Sequence, residues 1–202
     1  MRETGHRRVV IVTGSAHGIG AGIARHLAGT GWLVACADVD GEAAAKVAAE
    51  IGGIAVQCDV GEEADVERLI AVVRARLGRI DAIVSNAGMA KFAPLPETSL
   101  EAWNRVLATN LTATFLLAKA AAADLEQARG AIVTIASTRA HMSEPGTLAY
   151  SASKGGVVAL THALAITLAP KVRVNCVSPG WIDTGKHGAL KPSDHAQHPV
   201  GR

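Results

Sequence analysis

The stretch Thr13-Gly14-Ser15-Ala16-His17-Gly18-Ile19-Gly20 decides the fold. An apolar, β-branched run, Val9 to Thr13, leads directly into it. Ile19, Ile23 and Leu27 then recur every fourth residue until Gly29 and Gly31. That pattern is strand, turn, helix. Glycines let a backbone turn tightly and come close to a bound group, and a helix start presents free N–H groups and a positive dipole end. A pyrophosphate suits such a turn. The spacing is G-x-x-x-G-x-G rather than the commoner G-x-G-x-x-G, and a glycine-rich turn alone also serves as plain structure. The strand before it and the helix after it favour the nucleotide reading.

Five more apolar runs follow: Trp32 to Asp38, Ile54 to Asp59, Ala82 to Asn86, Ala131 to Ser137 and Val172 to Ser178. Their near-continuous apolar character predicts parallel strands covered on both faces. Amphipathic stripes lie between them. Val66, Leu69, Ile70, Val73 and Leu77 form one, closed by Gly78. Leu100, Trp103, Leu107 and Leu111 form a second, opened by a capping box of Thr98 and Glu101. Val157, Leu160, Leu164 and Leu168 form a third, stopped by Pro170. The alternation predicts an α/β fold: a three-layer, doubly wound parallel sheet of the Rossmann type, six strands wide, in one domain over 1–202. Residues 185–202 lack periodicity and read as a partial lid or disordered tail. Ligands in such sheets bind at the carboxyl ends of the strands, where the strand order reverses. The residues that end strands therefore carry the functional reading.

The 202 residues are 49% apolar and 19% charged, with a formal net charge of +2. This is a globular composition without a long-range field to draw nucleic acid or membrane. Aromatics are only 3%, so Ala, Val, Leu and Ile must fill the core. Cys36, Cys58 and Cys176 are odd in number and lack metal-ligand spacing, which predicts free thiols in a reducing compartment. The N-terminus is polar and basic, and no apolar run is expected to span a bilayer, so the expected location is cytoplasmic. His187, His195 and His198 fall in a polar tail without a carboxylate or thiol cluster, and no metal is expected.

Asp38 ends the second run, 18 residues after Gly20. An acid there accepts hydrogen bonds from ribose hydroxyls and repels a 2′-phosphate. Val39 and Asp40 follow it, and His17 and Arg25 are the only nearby bases in the loop and first helix. NAD rather than NADP is therefore the expected cofactor. Read in isolation, Asp38 is also a surface acid starting a turn before Gly41.

With these residues in place, the sequence resembles the short-chain dehydrogenase/reductase family. The family's T-G-x-x-x-G-x-G stands as Thr13 to Gly20, and its N-A-G as Asn86-Ala87-Gly88. Its serine followed by Y-x-x-x-K stands as Ser137, Tyr150 and Lys154, and its late P-G as Pro179-Gly180. The four motifs occur in order, and the resemblance runs from about Val9 to Thr184. The resemblance implies an NAD(P)-dependent oxidoreductase acting on CH–OH groups, moving hydride between NAD(H) and a secondary alcohol or ketone. It implies that Gly14, Ser15, His17, Gly18, Ile19 and Gly20 wrap the pyrophosphate and adjoining ribose. Asp59 and Val60 would flank the adenine, and Asn86, Ala87 and Gly88 would support the sheet centre and the cofactor ribose. Pro179, Gly180, Ile182 and Thr184 would lie on the nicotinamide side, with Tyr150 and Lys154. Asn110 matches the family's fourth catalytic residue, which holds a water near the lysine. Members commonly pair through two long helices as homodimers or homotetramers.

The residue types suit that chemistry. Tyr150 and Lys154 are four apart on a helical pattern and leave the same face. A free phenol ionises near pH 10. A lysine cation about 4 Å away favours its ionised form by up to about 4 kcal/mol at an effective dielectric near 20. Such a phenol works as a general acid–base. Ser137 would polarise the same substrate oxygen, and Asn110 would join the lysine to a water chain. Each residue alone has a duller structural reading. Asn110 is the least comfortable in it, because Asn is a mediocre helix former.

Met89, Phe92, Arg139, Met142, Trp181, His187 and Leu190 follow strand ends and are candidates for the substrate side. The mix names no substrate, and Arg139 reads equally as an anion contact or an exposed cation. The two long helices, around Trp103 to Ala123 and Val157 to Leu168, carry apolar residues on more than one face, leaving one for a second subunit. The family usually continues past the sixth strand through a lid, a helix and a seventh strand, whereas this sequence stops within the lid region. The expected consequences are an exposed sheet edge and a bare patch of sheet face. A truncated chain and a short member completed by assembly are both open. So is a second function, a nucleotide-binding but inactive partner subunit. An extended-type sugar-nucleotide epimerase or dehydratase shares Y-x-x-x-K, but the gap between Gly14 and Gly18 and the Asn-Ala-Gly motif argue against it.

Overall fold

The computed structural model describes residues 7–185. Six strands, β1 (Val9–Thr13), β2 (Leu33–Asp38), β3 (Ile54–Gln57), β4 (Ile80–Ser85), β5 (Ala131–Ile135) and β6 (Arg173–Val177), form one sheet. Their order is β3-β2-β1-β4-β5-β6, and every pairing is parallel. The helices are α1 (Gly18–Gly29), α2 (Gly41–Ile51), α3 (Glu63–Leu77), α4 (Leu100–Leu107), α5 (Ala113–Ala128) and α6 (Leu148–Thr167). The chain winds outward from β1 to β3 on one side and from β4 to β6 on the other. The loops after β1 and β4 therefore part company and leave a crevice between them.

Successive strand residues point to opposite faces, and both faces are apolar because both are covered. Val9, Ile11, Ile80, Ile83 and Ile132 pack with Val66, Leu69, Ile70 and Val73 of α3 and Leu117 and Leu125 of α5. On the other face Val10, Val12, Val34 and Cys36 pack with Ala21 and Ala24 of α1 and Ala44, Val47 and Ala48 of α2. Among the described residues this second layer leaves part of the β4–β6 face uncovered. There Val84, Val133, Ile135 and Val177 meet Ile19, Ile23 and Leu27 in an open apolar groove of about 500 Å³. Among the described residues β6 is the edge strand on that side.

Three local expectations change. Ser99, not Thr98, caps α4: its hydroxyl accepts from Ala102 N at 3.1 Å, while Thr98 Oγ1 donates to Pro94 O. The predicted long helix is interrupted by a wider π turn, Ala108–Thr112, between α4 and α5. Helix α2, which apolar periodicity does not flag, is built mainly of alanine, a weak apolar signal but the strongest helix former. Asp40 caps it, accepting from Ala43 N at 3.0 Å.

The segment Leu100–Ala128 is long and apolar enough to cross a membrane by length and composition alone. Here it is a core helix. Leu116, Leu117, Ala121 and Leu125 are buried, and Lys119 and Asp124 pair with Glu63 and Arg74 of α3. The three cysteines are free, with Cys36 and Cys58 buried and Cys176 half-buried. Burial pushes the Cys58 thiol up to about 12, which keeps it neutral.

Candidate active site

The crevice is built on hydrogen bonds between the ends of β1 and β4. Thr13 is fully buried, and its Oγ1 accepts from the N–H groups of both Asn86 and Ala87 at 3.0 Å. Asn86 Nδ2 returns the tie, donating to Thr13 O at 2.9 Å and Gly14 O at 3.2 Å. The glycine loop then folds back on itself. Gly14 has φ +64, and a Cβ on Gly20 would fall 2.0 Å from Gly14 O. Only hydrogen fits there. His17 caps α1 without a side-chain hydrogen bond, and no acid stands in its first turn. The first-turn N–H groups stay available to an anion. Helices α2 and α3 carry acids in that place.

A cleft of about 450 Å³ opens above this loop. It gathers Gly14, His17, Gly18, Asp38, Asp59, Val60, Asn86, Ala87, Gly88 and Thr184 from the sequence-predicted set. Asp38 is oriented by the main chain: Oδ2 accepts from Ala16 N at 2.9 Å and Oδ1 from Asp40 N at 3.0 Å. Neither nearby base answers a phosphate beside it. His17 Nε2 lies 3.4 Å from Asp40 Oδ2, and Arg25 makes a two-pronged pair with Glu50. Ser15 is fully buried and its hydroxyl donates to Ala37 O, so it shapes the loop rather than lining the cleft. Ile182 is about half exposed and lines neither this cleft nor the cavity beside it. Val39, Cys58, Met89, Arg105 and Thr109 also line the cleft, unforeseen as cofactor contacts.

A second cavity of about 250 Å³ adjoins the first, sharing Asn86, Gly88 and Met89 as a wall. Ser137, Tyr150, Lys154, Ile19, Pro179 and Gly180 line it. Lys154 is 4% exposed, its Nζ donates to Ile135 O at 2.7 Å, and it lies 5.7 Å from the centre of the Tyr150 ring. Burial lowers its pKa to about 8. Ser137 Oγ accepts from Arg139 N at 3.1 Å, which leaves its hydroxyl hydrogen free to donate into the cavity. Phe92 stands edge-on to the Tyr150 ring, centres 5.9 Å apart.

Asn110 sits in the π turn, buried. Its Oδ1 accepts from Met89 N at 2.8 Å, and its Nδ2 donates to Met89 O and to Ser153 Oγ, both at 2.9 Å. Ser153 in turn donates to Tyr150 O at 2.7 Å. The amide makes three of its four hydrogen bonds to protein partners and braces the loop after β4 against α6. Arg139 pairs with Glu144, while Phe92, Met142 and Trp181 are exposed. His187, Leu190, His195 and His198 lie outside the described residues.

A protein-family model described as short chain dehydrogenase matches residues 8–194. An uncharacterized oxidoreductase from Thermotoga maritima is 40% identical over 96% of this chain and 82% of its own length. A D-threitol dehydrogenase from Mycolicibacterium smegmatis is 42% identical over 85% of this chain and 69% of its own. Among solved structures, the 3-ketoacyl-(acyl-carrier-protein) reductase of Brucella melitensis, complexed with NADH, superimposes with a TM-score of 0.83. It is 33% identical, over 87% of this chain and 76% of that one.

Proposed function

Since the chain belongs to the short chain dehydrogenase family and is an oxidoreductase of CH–OH groups, we propose that it uses NAD(H) to interconvert a secondary alcohol and a ketone through Ser137, Tyr150 and Lys154. One observation carries this reading: a buried lysine beside a phenol ring, in a cavity that shares a wall with the cleft over the glycine loop.

The cleft suits a dinucleotide. The glycine loop and uncapped start of α1 would hold the pyrophosphate, Asp38 the ribose hydroxyls, and Asp59 and Val60 the adenine. A nicotinamide held there supplies the hydride acceptor or donor. The phenol of Tyr150 exchanges a proton with the substrate oxygen, and the Ser137 hydroxyl donates to the same oxygen. Lys154, 5.7 Å from the ring centre, is the basic group placed beside that phenol. The Asn110 amide holds Met89 and Ser153 in place around them, and Asn110, as the family's fourth catalytic residue, would hold a water near the lysine. Asp38 would repel a 2′-phosphate, and the bases of the glycine loop and α1 nearest it, His17 and Arg25, face Asp40 and Glu50 instead, which supports NAD over NADP.

Replacing Tyr150 with Phe tests the assignment. The expected result is a 10²- to 10⁴-fold fall in kcat with NADH affinity unchanged. Unaltered turnover across a panel of alcohols and ketones removes Tyr150 from the reaction. Titration with NADH and NADPH tests the cofactor, and a preference for NADPH overturns the reading of Asp38. Leu100, Phe115, Leu148 and Ile166 are exposed on α4, α5 and α6, and self-association through these helices completes the proposal.

A further inference from the structure

Arg105 reaches from α4 into the nucleotide cleft, where His17 is the only other basic residue among the described lining. Its Nη2 donates to Asp59 Oδ2 at 2.5 Å, and its Nη1 lies 3.8 Å from Glu62 Oε1. The other Asp59 oxygen, Oδ1, accepts from Gly61 N at 3.0 Å. The carboxylate is thus gripped at both oxygens, by a helix on one side and by its own chain on the other. Gly61 leaves the room for this: a Cβ there would stand 3.3 Å from both Arg105 Nη1 and Asp59 Oδ1. The Arg105 side chain is 41% exposed and that of Asp59 26%. A pair so open to water adds little to stability, so its consequence lies in the cleft that both residues line.

We propose that Arg105 is a positioning residue for base selection: it holds Asp59 as an oriented acceptor that takes the exocyclic amino group of adenine. This deepens the reading of the cleft as an NAD(H) site and rests on it. An ionised carboxylate only accepts hydrogen bonds. Adenine offers it a donor at C6, whereas a 6-oxo purine offers a second acceptor, which the fixed carboxylate repels. Freed of Arg105, Asp59 can turn aside and the distinction fades.

The test compares NADH, its hypoxanthine analogue and reduced nicotinamide mononucleotide, which lacks the base, by fluorescence titration. The wild-type protein is expected to bind NADH about tenfold or more tighter than the hypoxanthine analogue, the effect of one hydrogen bond to a charged group. In Arg105→Met the ratio should fall to about threefold or less, with mononucleotide affinity unchanged. That unchanged affinity separates loss of base reading from general damage. Arg105→Gln, shorter and uncharged but still polar, gives an independent reading of the ratio and is expected to lower it likewise. Retention of the wild-type ratio in both variants overturns the proposal. A wild-type protein that binds NADH without base preference overturns it too, while leaving the cofactor reading standing. Failure of the wild-type protein to bind either dinucleotide overturns the cofactor reading, and this proposal with it.

Discussion

Lys154 carries an ammonium in a place that disfavours one. Its ordinary pKa of 10.5 falls to about 8 through burial. In the unfolded chain it keeps its proton until about pH 10.4. Between those values the unfolded state binds more protons, so stability rises with pH across that window. Below about pH 8 both states are protonated and the penalty of burying the charge is present in full. The interval corresponds to about 3 kcal/mol. Denaturant unfolding from pH 7 to 10.5 should show wild-type stability climbing relative to Lys154→Met, and parallel curves would contradict this account. Tyr150 and Lys154 were legible in the sequence because their chemistry is local, four residues apart on one helix. Arg105 was not. Its partner Asp59 is 46 residues away, and only the docking of α4 beside the β3 loop joins them.

At the level of elements, the tie between the β1 and β4 ends makes the crevice. Thr13→Val keeps the shape but leaves the N–H groups of Asn86 and Ala87 without the acceptor they share. The expected loss is about 2–4 kcal/mol, with weaker NADH binding; Thr13→Ser, which keeps the hydroxyl, should stay within about 1 kcal/mol of wild type. Thermal and denaturant unfolding of the pair measures both. The strands were readable because burial on two faces leaves continuous apolar runs. The position of Ser99 was read one residue early, since Thr98 is an equally good capping type and only backbone geometry chooses between them. The π turn was foreshadowed by the poor fit of Asn110 to a mid-helix position. Its three hydrogen bonds could not be read, because they join the loop after β4, the π turn and α6.

For the whole molecule, the two faces of the sheet differ beyond β1. Ile132 points into the layer under α3 and α5 and is 1% exposed. Its neighbour Val133 points to the open groove beside α1. Ile132→Thr is expected to cost about 2–4 kcal/mol, and Val133→Thr less than about 1 kcal/mol. Equal losses would show that the second face is as well covered as the first. The layered architecture was legible from the alternation of strand and helix. The bare patch of sheet face followed from the family resemblance and not from periodicity, because Val84, Val133 and Ile135 read as core whether or not anything lies over them.

Asp38 has an obligation besides facing the cleft, since one of its oxygens anchors the amide of Ala16 in the glycine loop. A redesign that trades this acid for a side chain without an acceptor, to admit a phosphorylated ribose, would untie the loop in the same stroke. Switching nucleotide preference in this scaffold is therefore a double exchange: a cation for the new phosphate, and a fresh acceptor for the abandoned amide.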